Sequence, residues 1–129
     1  MKRTKERQSM TLALVRYSRF GIAKSGANRF DIYRKIQGVC GKDKTLAYDM
    51  FAVHQLLFFL WVQDDAETLK IIQEVYFLPF SESASKHPRR NEISQSIFRF
   101  ACENHMDERT VYRKLRKVYE LWTKIRYEK

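Results

Sequence analysis

The run FAVHQLLFFLWV, residues 51–62, constrains this chain more than any other feature, because it holds no Lys, Arg, Asp or Glu. Twelve residues are about half of the roughly 20 that a membrane-spanning helix needs, and His54 and Gln55 interrupt the run. It therefore reads as the central core helix of a small domain, beginning near Asp43 and ending at Val62. Met50, His54, Leu57, Phe58 and Trp61 recur at threes and fours along it, which is helical spacing. One stripe cannot bury so many large side chains. Phe51, Phe58, Phe59 and Trp61 are expected to be mostly core, and the surplus leaves room for a candidate partner surface of Phe51, His54, Phe58 and Trp61, open to a second copy or to another protein.

The remaining segments supply helices to surround that core. Leu12, Val15 and Phe20 offer one side of a first helix over residues 11–20, and Phe30, Tyr33 and Ile36 one side of a second, stopped by Gly38 and Gly41. Asp64 or Asp65 can cap a further helix whose buried side is Leu69, Ile72, Val75 and Tyr76, and Pro79 ends it. No strand-like alternation of useful length occurs, so the expected fold is all-α: a helical N-terminal body with a C-terminal helix–turn–helix. The expected divisions are a basic flexible arm over 1–10, the helical body over 11–80, a Pro88-containing linker over 81–90, and the helix–turn–helix over 91–129.

Charge separates along the chain. Residues 1–45 have a balance of +9, residues 46–85 of −5 and residues 86–129 of +6, giving +10 in all. Such an excess favours polyanions and speeds encounter with them without conferring specificity. The two cysteines, Cys40 and Cys102, cannot form the dense disulfide framework of a small secreted domain or close a zinc site alone. The opening MKRTKERQSMTLAL is basic but lacks a small-residue cleavage site after a sustained apolar run, so no secretory signal is expected. No glycine-rich nucleotide-binding pattern is present, and no cofactor is expected.

The last third carries the candidate chemistry. Ile93, Ile97, Phe98 and Ala101 mark one helix, and the small Ala101 permits a close crossing by the next. Asp107 is a good N-cap, with Met106 placed to staple the turn, and Val111, Leu115, Val118 and Leu121 or Trp122 continue inward. That pattern turns Arg109, Tyr112, Arg113 and Arg116 outward as candidate base-reading residues, since an extended Arg can bond guanine acceptors in the major groove. Thr110, Lys114 and Lys117, with Arg89 and Arg90 before the first helix, suit phosphates. The competing interpretation of the same residues is a solvated helix face.

The stretch DERTVYRKLRKVYELW, residues 107–122, resembles the ending of small phage late-gene regulators of the Q-type antitermination and RinA/ArpU-like families, with a sigma-region-4-like helix–turn–helix. Asp107, Thr110, Val111, Arg113 and Leu115 carry the resemblance. The segments DMFAVHQLLFFLW (49–61) and TLKIIQEVYF (68–77) are similar to the central helix pair of those regulators, ending in the aromatic step Tyr76–Phe77. The chain departs from the Q-type opening, with Tyr17, Ser18, Arg19 and Phe20 where a Trp-Gly-x-Trp arrangement is usual, and its link over 78–97 is longer. The resemblance implies a non-enzymatic, sequence-specific double-stranded DNA-binding regulator of phage late transcription. It implies bacterial RNA polymerase as a further partner, the host bacterial cytoplasm as the location, and no membrane. Q-like antitermination is the first expectation and promoter activation the alternative. A phage nuclease using Asp64, Asp65 and Glu67 and a helical interaction protein that does not bind DNA are the other two.

Overall fold

The computed structural model describes residues 2–22, 29–80 and 90–127. Six α-helices, and no strand, lie among these residues: α1 (Lys2–Arg19), α2 (Arg29–Cys40), α3 (Lys44–Val62), α4 (Ala66–Ile72), α5 (Arg90–Glu103) and α6 (Glu108–Tyr127). A π-helical turn, Gln73–Phe77, and a 3-10 turn, Leu78–Phe80, continue directly from α4. The expected linker over 81–90 lies outside the described residues except for Arg90, whose backbone opens α5.

Helix α3 is the centre, with α1, α2, α4 and α6 packed against it. Its buried side is Met50, Ala52, Val53, Leu56 and Leu60. This corrects the sequence expectation: Phe58 and Trp61 point outward, while small and aliphatic side chains face the neighbours. Close approach of several helices to one favours narrow side chains at the seam, so the aromatic rings are displaced to the open side. By length and hydropathy α3 could also cross a membrane, yet its Asp49 is held in an ion pair with Arg126 of α6.

Similar rotations occur elsewhere. Helix α1 buries Met10, Ala13, Leu14 and Tyr17 beside Val15, leaving Leu12 and Phe20 half-buried, and it starts at Lys2 rather than Thr11. Its first residues, KRTKERQ, include good helix formers, which lets the helix continue back through the expected arm. Helix α2 turns Ile32, Ile36 and Cys40 inward, whereas Tyr33 lies outside against Phe51 at 5.3 Å between ring centroids. Helix α5 buries Ser96, Ile97, Phe100 and Ala101 and exposes Phe98.

The helix ends show why the chain turns where it does. Asp43 Oδ1 accepts from the Leu46 amide at 3.0 Å, and Asp65 Oδ1 from the Thr68 amide at 3.1 Å, so Asp65 rather than Asp64 caps α4. Asp64 instead ends α3 with φ 58°, its amide bonding the Trp61 carbonyl while the Asp65 amide bonds that of Leu60. This is the paired-bond Schellman ending, with Asp in the left-handed position that glycine usually takes. Pro79 does not stop α4 by a clean break. It lacks an amide, so the ladder widens first, with the Leu78 amide reaching back five residues to the Gln73 carbonyl.

A single cluster of buried side chains runs through the described helices, from Met10 and Leu14 in α1 to Val118 and Trp122 in α6. No gap in the core falls at residue 91. Helices α5 and α6 pack onto the same interior as the rest, α6 along α3 and α5 along the π-helical turn.

Candidate nucleic-acid interface

The turn from α5 to α6 is built by two opposed end signals. His105, with φ 52°, takes the left-handed position; its amide bonds the Cys102 carbonyl at 3.4 Å and the Met106 amide that of Ala101 at 2.9 Å. Met106 packs partly buried against the core, and Asp107 follows as N-cap, its Oδ1 accepting from the Arg109 amide at 3.0 Å. Four residues, 104–107, thus join α5 to α6. Asn104 secures the turn: its side-chain amide donates to the Phe100 carbonyl, and its Oδ1 accepts from Lys70 Nζ, both at 2.9 Å.

Helix α6 spans twenty residues, about 30 Å. Val111, Leu115, Val118 and Trp122 are its buried stripe, and together they contribute roughly 6–12 kcal/mol of apolar burial. The opposite side carries Arg109, Arg113, Arg116 and Lys117, all exposed, along the first three turns. Tyr112 is exposed on the flank nearest α1 and the π-helical turn, and Thr110 is half-buried on the other flank. Three of the four candidate base-reading residues, Arg109, Arg113 and Arg116, therefore share the side opposite the core stripe, with Tyr112 exposed at its flank.

The candidate phosphate residues are more scattered. Lys114 Nζ pairs with Glu67 Oε1 of α4 at 2.9 Å, so its charge is turned toward the protein rather than outward. Lys114 and Lys117 lie near Asp65. Burial pushes the Asp65 carboxyl up, but the Thr68 side-chain and backbone hydrogen bonds and these two lysines outweigh it and hold it below the usual carboxylate range. Arg89 and the Arg90 side chain lie outside the described residues.

The far end of α6 is anchored by residues that the sequence pattern did not single out. Arg126 Nε donates to Asp49 Oδ1 at 2.6 Å, and its guanidinium lies 5.8 Å from the Tyr48 ring centroid and 5.2 Å from that of Tyr127. Arg7 of α1 lies over Tyr119 at 5.1 Å. No motif announces these contacts; residues 119–127 hold one Arg, Arg126, among three aromatic residues.

The candidate partner surface divides. Phe51 is half-buried against Tyr33, and His54 is half-buried with Nδ1 3.5 Å from the Tyr17 hydroxyl. Phe58 and Trp61 are exposed, and Phe59 and Val62, which the periodicity did not select, are exposed beside them. Asp65 is used as a cap and Glu67 as a salt-bridge partner, and no group of three metal-ligating side chains converges among the described residues. Cys40 and Cys102 are both free thiols; burial, then Asp43 and Asp49, push the Cys40 thiol up.

Fold and surface together define an all-α protein of six helices, among the described residues, with one basic helix face open to solvent. No family model, curated protein or solved structure matches this chain.

Proposed function

We propose that this chain binds double-stranded DNA sequence-specifically, with α5 and α6 acting as a helix–turn–helix and the first turns of α6 lying in the major groove. The observation that carries this is the division of α6: Val111, Leu115, Val118 and Trp122 are sealed in the core while Arg109, Arg113 and Arg116 extend from its opposite side. A capped helix N-terminus, a four-residue turn and outward arginines at i, i+4 and i+7 are what groove entry needs. A merely solvated face would serve as well with balanced charges, whereas the exposed side of α6 carries Arg109, Arg113, Arg116 and Lys117 against Glu108 and Glu120, an excess of positive charge.

The narrower function is regulation of phage late transcription together with bacterial RNA polymerase, as a Q-like antitermination factor. The likeness of residues 107–122 to such regulators supports it. Late-promoter activation is the second form of the same reading, supported by the same residues.

The test of DNA recognition begins by selecting bound duplexes from a random pool with the full chain. Arg113→Ala is then compared with wild type on the selected and a scrambled duplex. A base-reading Arg costs roughly 1–3 kcal/mol on the selected duplex and relaxes preference at one position. Equal loss on both duplexes makes Arg113 a phosphate contact, and no loss removes it from the interface. Failure of the pool to enrich any sequence overturns specific recognition. A polymerase run-through assay on a template with a late promoter and a terminator separates the two regulatory forms: read-through marks antitermination, and added initiation alone marks activation.

A further inference from the structure

We propose that the outer face of α3 is a self-association surface, on which a second copy of this chain docks with its own α3 antiparallel, forming a two-fold dimer. The inference does not rest on DNA binding by α6. Phe58, Phe59, Trp61 and Val62 are 50, 42, 69 and 60% exposed within little more than one helical turn. Tyr48 on α3 and Tyr33 on α2 are more than half exposed and continue the same side toward the helix start. Large aromatic side chains offer roughly 150–250 Å² each, so the uncovered apolar area is on the order of 600 Å² per copy. That reaches the upper end for an ordinary monomer surface. Paired with itself it would bury on the order of 1,200 Å², above the roughly 1,000 Å² that a specific interface requires.

Charge selects the occupant. A chain of net +10 repels its own copies over most approaches, and two copies can meet only where charge is absent. Between Lys44 and Val62 the only acidic or basic group besides His54 is Asp49, already bonded to Arg126. The two ends of α3 differ in net sign: Lys42 and Lys44, with the capping Asp43 between them, leave +1 exposed at its start, and Asp64 is exposed at its finish. An antiparallel pair sets Asp64 of each copy against Lys42 and Lys44 of the other, twice by symmetry, and opposes the helix dipoles. A parallel pair would set like charges together. An anionic lipid surface would instead meet Asp64 and Asp65 beside the aromatic cluster, which disfavours it.

Sedimentation of the full chain over a wide concentration range tests this. The expected mass is twice 15.6 kDa for wild type. Trp61→Glu should sediment as a monomer with unchanged helical circular dichroism, because Trp61 lies largely outside the core. Asp64→Lys should weaken the dimer roughly tenfold, as should Lys42→Glu with Lys44→Glu, and combining all three should restore it to within a few-fold of wild type. Restoration is specific to the antiparallel arrangement. A wild type that stays monomeric at every concentration overturns the proposal, whether or not it then binds phosphatidylcholine vesicles. So does a dimer that survives Trp61→Glu, and failure of the triple variant to restore association overturns the antiparallel pairing.

Discussion

Replacing Asp49 by Ala would strand the Arg126 guanidinium at the junction of α3 and α6. The pair is close, 2.6 Å, with the Arg126 and Asp49 side chains only 18% and 14% exposed. Breaking a fully buried pair costs about 3–5 kcal/mol, most of it for the charge left behind. Here some water access remains, and Arg126 keeps the Tyr48 and Tyr127 rings at 5.8 and 5.2 Å, each offering roughly 0.5–1 kcal/mol. The net expectation is therefore about 2–3 kcal/mol, a fall in melting temperature of roughly 10 °C for a chain of this size. Arg126→Met should also destabilise, because it leaves the Asp49 carboxylate, itself only 14% exposed, without its partner, even though an apolar stem stays against the rings. The assay is urea unfolding of wild type, both single variants and the double variant. A coupling energy of about 1.5 kcal/mol or more is expected from the cycle. Additive single losses, or an Asp49→Ala cost below about 0.5 kcal/mol, would refute the view that this pair fixes the C-terminal end of α6.

Three further expectations follow from other parts of the structure. In DNA titrations at several salt concentrations, Lys117→Ala should reduce the logarithmic salt slope by about 0.9. Lys114→Ala should change it far less, because Glu67 already neutralises Lys114; equal changes would mean that this salt bridge opens on DNA. His105→Gly should stabilise the chain by about 0.5–1 kcal/mol in thermal unfolding, because glycine takes the left-handed φ of 52° without strain, and destabilisation would show that the imidazole contributes more than the backbone costs. Burial pushes the Tyr17 and Tyr76 hydroxyls up to about 12, at Tyr76 against the lowering effects of a Thr11 hydrogen bond and Arg7. A folded-state value above the unfolded one stabilises fully below pH 10 and is lost as pH rises toward 12, up to about 3 kcal/mol per group. Tyrosinate absorbance should therefore lag in the folded protein and rise with unfolding in that window, and early smooth titration of all tyrosines would contradict their burial.

What the sequence determined is clearest in α6. Its stripe of Val111, Leu115, Val118 and Trp122 lies opposite Arg109, Arg113, Arg116 and Lys117, so only one rotation buries the apolar residues and leaves the arginines in water. The same holds for helix ends set by local hydrogen bonds, where Asp107 and Asp65 cap the helices that follow them. Those signals act within a few residues and need no tertiary partner.

In α3 the local signal fails. It is apolar nearly all round, and periodicity cannot tell which side the other helices will cover. Packing by α1, α2, α4 and α6 decided that Val53, Leu56 and Leu60 go inside while Phe58 and Trp61 stay out. Tertiary structure alone also joined Arg126 to Asp49, seventy-seven residues apart, and Lys114 to Glu67. Charges so far apart in the chain carry no mark of their pairing, because the attraction acts only once helix packing has brought them within a few ångströms.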